Sequence, residues 1–122
     1  MTESTREPRL SLRVLTLAGL AVATIAAFAG VYHADWILFD DTAYVVRNRH
    51  IAHGLTWDGI VWVMRMNPHG GNFHPLTSIS HMLDGSLFGY GPRGPHLVNL
   101  ALHTANALLV CIVLARYTGA GM

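Results

Sequence analysis

VLTLAGLAVATIAAFAGVY, residues Val14 to Tyr32, decides the fold, because nothing in it is charged. A helix of about 20 apolar residues crosses a hydrocarbon core of about 30 Å, and this run is just long enough. Arg6, Arg9 and Arg13 precede it, while His33, Asp35, Asp40 and Asp41 follow. Arginine on the leading side favours a cytoplasmic N-terminus, which would put the following segment outside. Tyr32 and Trp36 stand where interfacial aromatics belong. A cleavable signal peptide is the competing reading, since Ala27-Phe28-Ala29 resembles a small-residue cleavage site. Against it, the apolar run is longer than a usual signal core and a second hydrophobic run follows.

That second run covers about Leu97 to Ala115 and ends at Arg116. It is not uniformly apolar: His96, Asn99, His103 and Asn106 recur at spacings of three, four and three, which places them on one helical face. Polar groups at membrane depth are costly. They line a bundle interior or watery cavity, or they join helices through hydrogen bonds. Either role calls for further helices. Cys111, the single cysteine, lies in this run and has no partner for a disulfide.

The rest of the composition agrees with lipid as the solvent. Of 122 residues 52% are apolar and only 12% charged, about half the charge of an ordinary soluble domain. The net charge of +1 and the scattered arginines leave no footprint for nucleic acid. The residues divide into a cytoplasmic tail (1–13), a first span (14–32), an extracytoplasmic loop (33–95), a second span (96–115) and a cytoplasmic end (116–122). The expected fold is an all-α integral membrane protein with short interfacial helices in the loop.

Three such helices are predicted. Asp41 is placed as N-cap of a turn from Thr42 to about Arg47, and Thr56 as N-cap of a helix through WDGIVWVMRM. Trp57, Ile60, Val61 and Met64 share a face of the latter, a composition suited to the membrane interface. A third helix opens at Pro75 and runs to about Phe88, with Leu76, Ile79, Leu83 and Leu87 as its apolar stripe and Thr77, His81 and Asp84 opposite. Gly89 to Pro95 (GYGPRGP) breaks it.

Asp40 and Asp41 are the first candidates for chemistry. Adjacent carboxylates disfavour each other's ionisation, a route to a general base, whereas a helix N-terminus favours the anion. Capping by Asp41 beside a merely solvated Asp40 is the plainer alternative. All eight histidines lie between residues 33 and 103. His69, His74 and His81 could ligate metal, but their spacing fits no standard zinc pattern. Hydrogen bonding to a phosphate or hydroxyl, or capping by His74 before Pro75, fits them better. Gly70-Gly71 lacks the strand-turn-helix setting of a phosphate loop. No cofactor is called for, and a divalent metal stays an open alternative.

FDDTAYVVRN (Phe39 to Asn48), NFHPLTSISHMLD (Asn72 to Asp84) and PHLVNLALHTAN (Pro95 to Asn106) occur in an order and spacing that resemble the N-terminal part of the transmembrane and tetratricopeptide-repeat O-mannosyltransferases and their bacterial relatives. The resemblance covers about residues 12 to 119. It implies a polytopic type C glycosyltransferase fold in a multi-pass, bacterial inner-membrane setting. It also implies a polyprenyl-phosphate-linked sugar donor and a protein Ser/Thr acceptor. In that family an acidic pair in the first extracytoplasmic loop activates the acceptor hydroxyl. Carried over, Asp40 is the base and Asp41 its support. His74 falls where the family often has arginine. With His81, His103 and Asn106 it is assigned to substrate binding or pocket lining. Family members continue with many more spans, so the chain reads as an N-terminal fragment, inactive unless complemented. A small non-catalytic membrane subunit that stabilises a partner is the alternative.

Overall fold

The computed structural model describes residues 7–65 and 73–119, with side chains from residue 11 onward. It is all-helical among the described residues. Two helices are long and apolar enough to cross a membrane: α1 (Glu7–Phe28), extended by a 3-10 turn at Ala29–His33, and α5 (Arg93–Thr118). Between them lie a π-helical turn (Thr42–Val46), α2 (Arg49–Ala52), α3 (Trp57–Met64) and α4 (Pro75–Phe88). The chain forms two compact units, residues 1–30 with 99–122, and residues 31–98.

In the first unit the apolar stretches have mean hydropathies of 2.2 and 2.0, yet only 6% of each is buried. A soluble core helix would be covered. Leu15, Val22, Leu102 and Leu114 are all exposed, which suits lipid as the surrounding medium. Hydroxyls are satisfied within each helix: Thr16, Thr24, Thr104 and Thr118 donate to the carbonyls of Leu12, Leu20, Leu100 and Leu114 at 2.8–2.9 Å. No polar group of these threonines therefore needs water at membrane depth. The ring of Phe28 meets His103 edge-on at 4.8 Å.

The second unit packs around Val45, Ile51, Val63 and Met82, with Trp36, Tyr44, Trp62 and Ile79 against them. So small a core depends on close backbone approach. A Cβ on Gly59 of α3 would lie 3.0 Å from the Met82 sulfur, so the glycine makes room for the most deeply buried side chain of α4. Gly54, at φ +73°, ends α2 in the left-handed region, and a Cβ there would strike the Ser86 hydroxyl at 2.5 Å. That hydroxyl accepts the Leu55 N–H at 2.7 Å. The Tyr90 hydroxyl donates to the Ile51 carbonyl, tying the residues after α4 to α2. Near the two ends of the unit, Arg93 lies over the Tyr32 ring at 5.1 Å and Trp36 stands 6.4 Å from His96.

Several expectations change. Trp36 is half-buried against the core, so it is not a free interfacial aromatic. The GYGPRGP segment breaks the chain for less than its full length, since α5 already begins at Arg93. Gly94 and Pro95 occupy its first turn, where proline lacks only an N–H that the helix does not use. On α4 only Ile79 of the expected stripe packs against the core: Leu76, Leu83 and Leu87 are exposed, while Met82 and Asp84 are buried. On α3, Trp57 and Met64 of the face expected to be interfacial are exposed, and Gly59 and Val63 face inward. Packing through glycine and serine brings the helix axes close and leaves the larger apolar side chains outward. The four-residue turn α2 is not foreseen in the sequence at all.

Candidate functional site

Asp40 and Asp41 lie at the entry to the π-helical turn, which Arg47 closes by donating its N–H to the Thr42 carbonyl at 2.9 Å. Asp41 does not cap this turn with its side chain, contrary to expectation. Its backbone is already helical (φ −57°, ψ −35°), whereas a capping residue needs an extended backbone to aim its oxygen at the next turn. Its carboxylate instead folds backward and accepts the Ile37 N–H at 2.9 Å. Asp40 is exposed, as are Ile37, Leu38 and Phe39 before it. The pair is therefore divided: one carboxylate holds the turn, and the other faces outward with no hydrogen bond among the described residues.

His74 is exposed at the N-cap position of α4 and makes no capping hydrogen bond through its ring. Its carbonyl accepts the Ser78 N–H at 3.0 Å, and Pro75 brings no donor for a cap to satisfy. His81 is half-buried, and its Nδ1 is buried without a partner among the described residues. One turn on, Asp84 is 7% exposed. Burial pushes its carboxyl above the ordinary value of 3.8, and the nearby His81 opposes that rise.

His103 and Asn106 are exposed on α5 in the other unit. His103 has its contact with Phe28, and Cys111 is a half-buried free thiol. Among the six residues singled out from the sequence, no hydrogen bond or ion pair joins any two. Among the described residues no group of three or more His, Cys, Asp or Glu side chains is disposed to hold a metal ion. His69 and Gly70-Gly71 lie outside the described residues.

Two positions emerge only in the fold. Asn48, the last residue of FDDTAYVVRN, is 5% exposed, and its Oδ1 accepts the His50 N–H at 3.1 Å, capping α2. An Asn before a short helical turn is a cap signal that could have been read. Asp84 carried no such signal, since a carboxylate on the side opposite an apolar stripe reads as solvated.

Comparison with known proteins bears on this arrangement. The chain is 28% identical over 111 residues to protein O-mannosyl-transferase TMTC4 of Mus musculus, covering 80% of this chain and 15% of that protein. It is 30% identical over 111 residues to protein O-mannosyl-transferase TMTC4 of Homo sapiens, covering 84% of this chain and 15% of that protein. The chain thus spans about 15% of the length of the curated relatives it matches. No family model and no solved structure matches it.

Proposed function

We propose that the chain is the N-terminal, membrane-embedded portion of a glycosyltransferase that moves a sugar from a polyprenyl-phosphate donor to a protein Ser or Thr hydroxyl. The observation that carries this reading is the similarity to two protein O-mannosyl-transferases over most of the chain. The resemblance of FDDTAYVVRN to that family's acidic motif suggests the role of the pair. Asp40 acts as general base: it takes the proton of the acceptor hydroxyl as that oxygen attacks the anomeric carbon and the polyprenyl phosphate leaves. The exposed carboxylate of Asp40 suits this task, and Asp41 keeps the turn that presents it. Arg6, Arg9 and Arg13 ahead of the apolar run, and Arg116 after the second, favour cytoplasmic termini, with residues 31–98 outside. His74 and His81 belong to the same unit, and His103 and Asn106 to a polar face that other spans would cover.

The test is sugar transfer from a polyprenyl-phosphate sugar to a Ser/Thr peptide, in native membranes carrying either the wild type or Asp40→Asn. Loss of a general base lowers such a rate by about 10²-fold or more. Equal transfer by both forms, at equal abundance, would remove Asp40 from the mechanism. A second reading has one specific support, the exposed Asn99, His103 and Asn106 along α5. These suit a non-catalytic subunit whose span docks on partner helices. Under that reading Asp40→Asn is silent, while Asn106→Leu releases the partner in detergent extracts.

A further inference from the structure

The residues 31–98 unit carries an open surface pocket of about 320 Å³ lined by Arg49, His50, His53, Thr56 and Asp58, none of which the proposed reaction uses. Its size suits a headgroup-sized ligand. Arg49 and His53 stand four residues apart, on one side of the α2 turn. The guanidinium of Arg49 is in no ion pair among the described residues, so its planar donor fork stays available. The Nδ1 of His53 lies against the Arg49 carbonyl. A proton on that nitrogen turns Nε2 outward, where it accepts when the ring is neutral and donates when it is charged. His50 stacks on Trp62 at 4.5 Å and 13°, which holds its ring as a flat wall. Thr56 accepts the Gly59 N–H through its oxygen at 3.1 Å and keeps its own hydroxyl proton for a ligand.

The backbone of this pocket is fixed before anything binds. Asn48 caps α2, Ser86 holds the Leu55 amide and Tyr90 holds the Ile51 carbonyl. These contacts hold the backbone under the pocket, so that a ligand has only the exposed side chains, chiefly Arg49, to order. Arg49 and Thr56 can donate, His53 can donate through Nε2 when its ring is charged, and Asp58 can only accept when ionised. That combination complements an oxyanion with a donor group beside it.

We propose that this pocket binds the phosphate group of a phosphorylated ligand through Arg49, His53 and Thr56, while Asp58 accepts a hydroxyl or ammonium of the same molecule. The phosphate could belong to a phospholipid headgroup or to a soluble sugar or polyol phosphate. The proposal does not rest on the glycosyltransferase reading.

The test uses the full chain in micelles of an uncharged, phosphate-free polyoxyethylene detergent. The Trp62 indole and the His50 and His53 rings are followed by NMR. Glycerol 1-phosphate, inorganic phosphate and phosphatidylglycerol doped into the micelle are titrated separately. Saturable shifts of all three rings are expected with at least one organic phosphate. Arg49→Gln should weaken that binding by about tenfold, the loss of one charge-assisted contact. Asp58→Asn should weaken the organic phosphate more than inorganic phosphate. Binding of the lipid alone identifies a headgroup site, and binding of glycerol 1-phosphate identifies a soluble one. Absence of any saturable shift overturns the proposal, as does unchanged affinity in Arg49→Gln. Arg49 is exposed, and unaltered exchange of the Leu55 amide verifies that the variant keeps its fold.

Discussion

The two units expose apolar side chains for different reasons. In the unit of α1 and α5 nearly every side chain is outward and apolar, and the few hydroxyls turn onto their own helix. In the residues 31–98 unit, exposed Leu38, Phe39, Trp57, Leu76 and Leu87 coexist with a small, specific core. The two long helices depend on no one contact, since only 6% of each apolar stretch is buried. The other unit takes its stability from a handful of contacts, so single substitutions there should matter far more.

Met82→Ala should give the largest effect. The side chain is fully buried, and emptying its site costs about 2–5 kcal/mol. Hydrogen exchange in micelles would show amides of α2, α3 and α4 losing protection together while those of α1 and α5 keep theirs. Coordinated loss in both units would break the contrast. Gly54→Ala comes next, at about 1–3 kcal/mol, because it forces a left-handed backbone on alanine and crowds Ser86. The Leu55 amide reports it directly.

Asp41→Ala should cost about 1 kcal/mol, since it removes the acceptor of the Ile37 N–H. Faster exchange at Ile37 alone would place the effect in that turn, and no change there would refute the holding role of Asp41. Asp84 should respond with the opposite sign. Its raised carboxyl value means that the folded chain holds the proton more tightly than the unfolded one. Stability therefore falls as pH rises from 3.8 through the raised value. Asp84→Asn should then raise the melting temperature at neutral pH and leave it unchanged below pH 3.8. A variant equally stabilised at both pH values would exclude burial of the charge as the cause. Smallest of all is Thr104→Val, at about 0.5 kcal/mol or less, because its hydroxyl bonds only within its own helix.

The sequence reads well wherever one local rule suffices. Thr56 caps α3 by accepting the Gly59 N–H, as its type and place predict. Pro75 opens α4 and Gly89 closes it. It misleads where two elements compete for a face. The stripe of Leu76, Ile79, Leu83 and Leu87 has the period of a core face, yet of these only Ile79 reaches the core, beside Met82. Of the candidate residues, Asp40 is exposed, Asp41 holds a turn rather than a helix end, and His81 lies one turn before the buried Asp84. Spacing placed His81 and Asp84 on one side of α4, but only packing shows that Asp84 is buried.

What the sequence alone determined is therefore the part governed by composition: an all-helical chain with two helices long and apolar enough to cross a membrane. Hydropathy sums along one helix and needs no partner. The tertiary structure decided which side of α3 and α4 is packed, that Asp84 is buried, and that Arg49, His50, His53, Thr56 and Asp58 line a surface pocket. Those outcomes depend on how closely two backbones can approach, and that is set at Gly54, Gly59 and Ser86 by atoms distant in sequence.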